Sequence, residues 1–448
     1  MKRPAERADA PLLERGDLPP EIRVAPPGPA ARRFSERLAA AEAPGVNTLA
    51  GDEPSLLWEE ACGANVLDVD GNRYVDLTSG FGVAAVGHRH PRVVAAVRRQ
   101  VGRLLHALGD VHAHPARVEL AERLAARVPV AEQRGGVAVH PAISGADAVE
   151  VAVKTALLAT GRTAVVAFAP AYHGTTLGAL ALTSRDEFRR PFAAHLHPRV
   201  RRLPFGAGEA EIDSAFADGA VACAVVEPIV GREGVIVPPP GWLAALAAAC
   251  RRHGTLLVAD EVFTGCGRTG RWFAVEHEAV RPQQLPDLVV VGKALGGGLP
   301  IAAVVGRRAL LDAWASGGEA LHTATFVANP LACVAALAVL DVLAEENLPE
   351  RAAVLGAALG GRLAGWPVRF AVVEQVRGRG LLWGVELATR DAAHRFVAAS
   401  RRRGVLLLAG GPEGRVAQIV PPLTIAEPQL EGAVGLLEEA LGEALGEG

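Results

Sequence analysis

The sequence predicts an α/β fold, with a large domain on a mostly parallel sheet and a smaller α+β domain after it. Three observations predict this. Short apolar runs alternate with helical segments from Thr163 to Lys293. Those runs are nearly continuous, as in VACAVV from Val221 and LVVV from Leu288, which is the pattern of strands covered on both faces. From about residue 335 short strands and helices follow without that alternation. The divisions read as an N-terminal arm and small-domain segment over 1–75, a large domain over 76–333, and a C-terminal small domain over 334–448.

Bulk properties bound the function. The chain has 448 residues, 50% hydrophobic and 21% charged, enough for about two to three domains. A net charge of −3 gives no basic footprint for nucleic acid, and no apolar run reaches the ~18 residues that cross a bilayer. The opening MKRPAERADAPLLERGDLPP lacks the apolar core of a secretory leader, and Glu6, Asp9, Glu14 and Asp17 argue against a transit peptide. Five cysteines without CxxC or metal spacing suit a reducing cytoplasm.

In chain order, residues 1 to about 30 read as a loose arm and Ala31–Ala43 as a short helix. Trp58–Leu77 reads as a hairpin turning at Asp70-Gly71-Asn72. Thr78–Gly87 is a glycine-punctuated loop in which Phe81 is either a pocket wall or core. A helix follows from Pro91 to Leu105; His88 and His90 at its start lack a third ligand, so no metal site is expected. Pro115–Val128 is amphipathic. Ser144-Gly145-Ala146-Asp147 then opens an apolar helix to Gly161 with a capping-box signal. Its first N–H groups, at Gly145 and Ala146, suit a phosphate or simply a cap. A strand from Thr163 to Ala169 leads to PAYHG, where Tyr172 and His173 stack on a planar ligand or pack on the core.

Three further strands end in chemistry. Val221–Val226 ends in Glu227, Thr255–Ala259 in Asp260-Glu261, and Leu288–Val291 in Lys293 before three glycines. In open α/β sheets ligands lie beyond the carboxyl ends of the strands, so these groups face one crevice. A lysine at a buried strand end has its pKa pushed down and can attack carbonyls; the bland reading is a snorkelling side chain. Beyond it, Asn329-Pro330 starts a long helix, Val368–Val373 reads as a strand, RGRGLLWGVEL, VLLLAGG and VAQIVPPLTI supply more, and the acidic C-terminus frays.

Seven stretches, in order, resemble the class III aminotransferases (4-aminobutyrate, ornithine and acetylornithine aminotransferase-like), fold-type I transferases that use pyridoxal 5′-phosphate. They are SGADA (144–148), YHGTTLGA (172–179), VVEPIVG (225–231), VADEVFTGCGRTG (258–270), VVVGKALGGGLP (289–300), HTATFVANPLA (322–332) and RGRGLLWGVEL (377–387). The resemblance implies transfer of an amino group from an amino acid, ω-amino acid or amine to a 2-oxo acid through a Lys293 aldimine. It makes Lys293 and Asp260 catalytic, Asp260 pairing with the pyridinium nitrogen. It gives Gly145 and Ala146 to the phosphate, Tyr172, His173 and Val262 to the ring, and Thr325 to the neighbouring subunit's cofactor in a cytoplasmic homodimer.

The chain also departs from that family. Thr175 and Gln418 stand where relatives have carboxylate-binding arginines, Arg232 stands where a glutamate gate is common, and Phe263 where many have glutamine. Arg232 is the expected substitute anchor, since a guanidinium fork fits a carboxylate. Phe81, Glu227, Arg232 and Gln418 are the expected substrate-facing residues. One clamp fits alanine and pyruvate better than a diacid. A racemase or epimerase on the same scaffold is the alternative, and a silent cofactor-binding protein a third.

Overall fold

The computed structural model describes residues 13–46, 55–131, 135–279, 281–316 and 319–446. The first sheet begins with three antiparallel strands, β1 (Trp58–Cys62), β2 (Asn65–Asp68) and β3 (Arg73–Asp76). Asp70-Gly71-Asn72 turns as expected, but Gly63, at φ +53°, makes an earlier turn. The stretch read as one hairpin is therefore a three-stranded meander. The arm before it is pinned from residue 13, not loose. Leu18 N–H donates to Asn65, Arg23 and Val24 to Asn72, and Ala30 and Ala31 to the Asp70 carboxylate. Residues 1–12 lie outside the described residues. The helix expected over Ala31–Ala43 spans Pro29–Ala39, and the one expected to reach Leu105 stops at Val101, before Gly102.

The second sheet holds β4 (Val137–Ala142), β5 (Ala164–Ala169), β6 (Val200–Pro204), β7 (Val221–Val226), β8 (Leu256–Asp260), β9 (Leu288–Val291) and β10 (Ala302–Arg307). Their order is β4-β10-β9-β8-β7-β5-β6. Neighbours from β9 to β6 are parallel; β10 runs antiparallel to both β9 and β4. The mostly parallel sheet is as expected, although β4, β6 and β10 were not anticipated.

Alternate residues feed opposite faces. Val165, Ala167, Val258 and Val290 pack with the helix Gly145–Thr160. Val166, Phe168, Ala224 and Leu257 pack with Trp242–His253, and Val289 and Val291 with Pro330–Glu345. Each such valine or leucine, fully buried, contributes roughly 1.5–3 kcal/mol. This two-sided burial is why the strands read as continuous apolar runs. Strand β5 pairs with β6 on one side and β7 on the other. The chain order switches there, and a crevice opens beyond the carboxyl ends.

The remaining strands are β11 (Val373–Arg379), β12 (Leu382–Leu387), β13 (Val405–Leu406), β14 (Leu408–Gly410) and β15 (Val416–Ile419). The third sheet is β11-β12-β15-β14, while β13 joins β3 in the first. The run VLLLAGG is thus divided at Leu407 between two sheets. The strand expected over Val368–Val373 is instead a helical turn, Trp366–Arg369, with Pro367 in its first turn and Val368 pointing to solvent. The last helix, Glu427–Gly446, does not fray as expected: Glu438 accepts from Arg362, Trp366 and Arg369, and Glu443 from Arg402 and Arg403. No described helix is long and apolar enough to cross a membrane.

Candidate active site

Sheet register places Val226 beside Ala259 and Asp260 beside Val290. Glu227, Asp260 and Lys293 therefore leave three adjacent strands at one rim. Lys293 has a φ of +41°, a left-handed conformation that a side chain adopts at a cost, typically where function holds it there. Its Nζ lies 3.8 Å from the Phe263 ring centroid and 4.7 Å from that of Phe81. Burial pushes its ammonium down to about 8; Glu227 and Asp260 oppose that shift and Arg232 adds to it. The residue keeps partial solvent contact along the crevice.

Asp260 accepts from His173 Nδ1 at 2.7 Å and from the Val262 N–H at 3.1 Å. Burial alone would lower the His173 pKa, but the bond to Asp260 and its charge raise it further than burial lowers it. The opposite ring nitrogen, Nε2, is buried without a partner. Glu227 uses both oxygens on backbone, accepting from Tyr172 N–H at 2.8 Å and Gly231 N–H at 2.9 Å. Burial lifts its carboxyl to about 7. Glu227, expected to face substrate, thereby ties the loop after β5 to the loop after β7.

The helix Gly145–Thr160 starts beside this group. Ser144 Oγ accepts from Asp147 N–H at 3.2 Å. Asp147 accepts from Ile143 N–H, not from Ser144, so only half of the expected capping box forms. The N–H groups of Gly145 and Ala146 have no intrahelical acceptor. A Cβ on Gly145 would sit 3.0 Å from Val262, and one on Gly174, at φ +128°, would sit 2.5 Å from the Ala146 side chain. Val262 also packs near Gly292. The crevice thus has a helix N-terminus at one end, a valine floor, a buried carboxylate backed by histidine and an amine of lowered pKa. That donor set fits pyridoxal 5′-phosphate: N–H donors for the phosphate, Asp260 for a ring nitrogen and Lys293 for the aldehyde.

On the outer side, the Arg232 guanidinium lies 4.4 Å from the Tyr172 ring centroid, 5.2 Å from Phe188 and 5.8 Å from Phe81. Its carbonyl accepts from Gln418 Nε2 and from Gly411 N–H, both at 3.1 Å. Gln418 Nε2 also donates to the Gly231 carbonyl. Gln418, expected to face substrate, lines the cavity beyond Arg232 while its amide donates to the backbone carbonyls of Gly231 and Arg232. Phe81 lies on a left-handed stretch with Ser79 and Gly80, at φ +65°, +50° and +55°. Thr325 is exposed and forms no hydrogen bond among the described residues.

Sequence reasoning missed three contributors. Phe263, noted only as a departure, packs its ring against Gly231, where a Cβ would sit 2.7 Å away, and against Lys293. Arg268 is buried and donates to the carbonyls of Leu381 and Pro421 and to Ser79 Oγ, pinning the Phe81 loop; burial lowers it to about 9. Arg185 pairs with buried Glu233 at 2.8 Å beside Arg232's cavity. Phe263 and Arg268 lay within a recognised stretch, VADEVFTGCGRTG; Arg185 had no signal. No group of metal-ligating side chains forms among the described residues.

The family described as aminotransferase class-III matches residues 48–441. The acetylornithine aminotransferase of Methanopyrus kandleri is 41% identical over 381 residues, covering 85% of this chain and 92% of that one. That of Mycobacterium tuberculosis is 42% identical over 395 residues, covering 88% and 93%. Among solved structures, an ornithine aminotransferase from Toxoplasma gondii, with partial occupancy of PLP at its active site, superposes with a TM-score of 0.83 at 30% identity, covering 93% of this chain and 98% of that one.

Proposed function

The chain belongs to the class-III aminotransferases, pyridoxal-phosphate-dependent enzymes that transfer amino groups, and we propose which of its residues carry that reaction and which donors it takes. The observation that carries the proposal is the convergence of Lys293 and Asp260 from neighbouring strands on one crevice. When bound, the cofactor supplies an aldehyde that takes up the amino group and a ring that withdraws electrons from the reacting carbon. Gly145 and Ala146 N–H groups hold its phosphate. Val262 and Tyr172 wall its ring, and Asp260 holds a proton on the ring nitrogen. His173, on Asp260's other side, aims that carboxylate. Lys293 Nζ, its pKa lowered by burial, would take the proton from the donor carbon and return it on the far side of the donor nitrogen, a role of order 10²–10⁴-fold in rate.

Arg232 anchors the donor's carboxylate. It stands at the crevice mouth, stacked on aromatic rings, with no acidic partner among the described residues, which leaves its fork free for a ligand. The amino acceptor is a 2-oxo acid held by the same fork. The second subunit of a homodimer covers the exposed Leu105, Leu108, Val111 and Phe326; Asn329 bonds the Leu105 carbonyl and the Phe326 ring lies 5.4 Å from that of His106, which draws these segments together. It brings Thr325 to the neighbouring cofactor's phosphate. The Arg232 role is tested by a single-turnover absorbance assay, in which donor alone converts bound cofactor to its amine form. Arg232→Ala is expected to weaken carboxylate donors by about 10–100-fold relative to matched amines. Equal losses for both classes refute the anchor.

A further inference from the structure

Beyond Arg232 lies a cavity of about 600 Å³, a volume typical of small-molecule sites. Phe81 joins it to the reacting centre, since its ring contacts both Lys293 Nζ and Arg232. Arg185, Arg232, Arg390, His394, Arg395 and Arg401 line it, and no acidic side chain does. Guanidiniums stay charged at all working pH. Arg185 is neutralised by Glu233 and Arg395 by Asp391, both from outside the cavity wall, and Arg401 is engaged as well. The side chains of Arg232, Arg390 and His394 form no ion pair or hydrogen bond among the described residues. Arg390 is also the first residue of the helix Arg390–Arg402, where the helix's own partial charge is positive. The Arg232 and Arg390 guanidiniums, facing one cavity without counter-charge, repel one another, and a bound anion removes that cost.

We propose that this cavity is a distal anion subsite, taking a carboxylate or phosphate at the far end of a donor or acceptor. It rests on the reading that the near carboxylate lies at Arg232. The subsite also answers the sequence expectation that a diacid lacks a second clamp: the second clamp comes from the helix 390–402 and not from position 418.

The test is calorimetry on the holoenzyme with octanoate, octanedioate and 8-phosphonooctanoate. Octanedioate is expected to bind at least tenfold tighter than octanoate. A phosphonate tighter than octanedioate marks phosphate as the preferred end group, and the reverse marks carboxylate. Arg390→Glu is expected to erase the dicarboxylate margin and Arg390→Gln to reduce it. A glutamate at a helix start is favourable, so the helix is retained. The ratio of kcat/KM for 8-aminooctanoate over octylamine should fall about tenfold in parallel. Equal binding of octanoate and octanedioate by the wild type overturns the subsite, as does a margin that survives Arg390→Glu. Octanoate affinity in Arg232→Ala reports the near anchor separately, so failure of either assignment is seen without the other.

Discussion

Replacing Lys293 by Met should stabilise the cofactor-free protein, because the native state holds that ammonium at a cost. Burial lowers its pKa from 10.5 to about 8, a cost on the order of 3 kcal/mol. Solvent contact along the crevice, and the loss of a cation that offsets Glu227 and Asp260, reduce the expected gain to about 1–3 kcal/mol. Methionine matches the lysine stem in length and suits the Phe81 and Phe263 rings. The pH dependence fixes the sign. Below pH 8 both folded and unfolded wild type hold the proton, and the full penalty is present. Between about 8 and 10.5 the unfolded chain holds a proton that the folded chain has released, so wild-type stability rises with pH. The variant lacks this group, so its advantage should shrink across that window. Urea unfolding of both proteins at pH 7, 8, 9 and 10 measures the gap. A gap that stays constant with pH, or a wild type more stable at pH 7, would refute the account of a desolvated amine.

Two further outcomes are expected. Asp260→Asn removes the carboxylate that His173 holds and that is proposed to pair with the ring nitrogen. The single-turnover rate should fall by on the order of 10²-fold or more, and a loss under tenfold would remove Asp260 from the reaction. Sedimentation should give the mass of two chains, and Phe326→Glu, a charge placed on the exposed apolar patch, should shift it toward one; a wild type sedimenting as a single chain rules out the shared site.

What the sequence disclosed follows from where each signal resides. Strands β7, β8 and β9 were legible because both faces are buried, and every residue is apolar up to the functional one. Strand β6 was not, because VRRLP carries two arginines near the sheet edge. Strand β4 carries His140 and Pro141. The pinned arm depends on side chains such as Asn65 and Asp70, some 40 residues or more away, and no local pattern reports such a bond. Val368 and Val372 suggested a strand, but Pro367 starts a helical turn first. The site shows the same division. Lys293 and Asp260 announce themselves as charges at the ends of apolar runs. Glu227 looks the same in sequence, yet its oxygens are bound to backbone N–H groups that only the folded loops supply.

The departures at 232 and 418 are two parts of one arrangement. Gln418 sits on β15, opposite Gly384 and Leu408, and its amide reaches across to the carbonyls of Gly231 and Arg232. Gly411 N–H adds a second donor to the Arg232 carbonyl. A Cβ at Gly410 would meet that carbonyl at 2.7 Å and Gln418 Nε2 at 2.8 Å, so the strand must carry glycine there to approach so closely. An arginine at 418 would bring a charged fork in place of this compact amide, and the backbone bonds that hold residue 232 would be lost. The strand residue Gln418 thus holds the loop that carries the Arg232 guanidinium. Stacking on Tyr172, Phe188 and Phe81 fixes its direction, so that Phe81 lies between this charge and Lys293 while Arg232 itself lines the arginine-rich cavity.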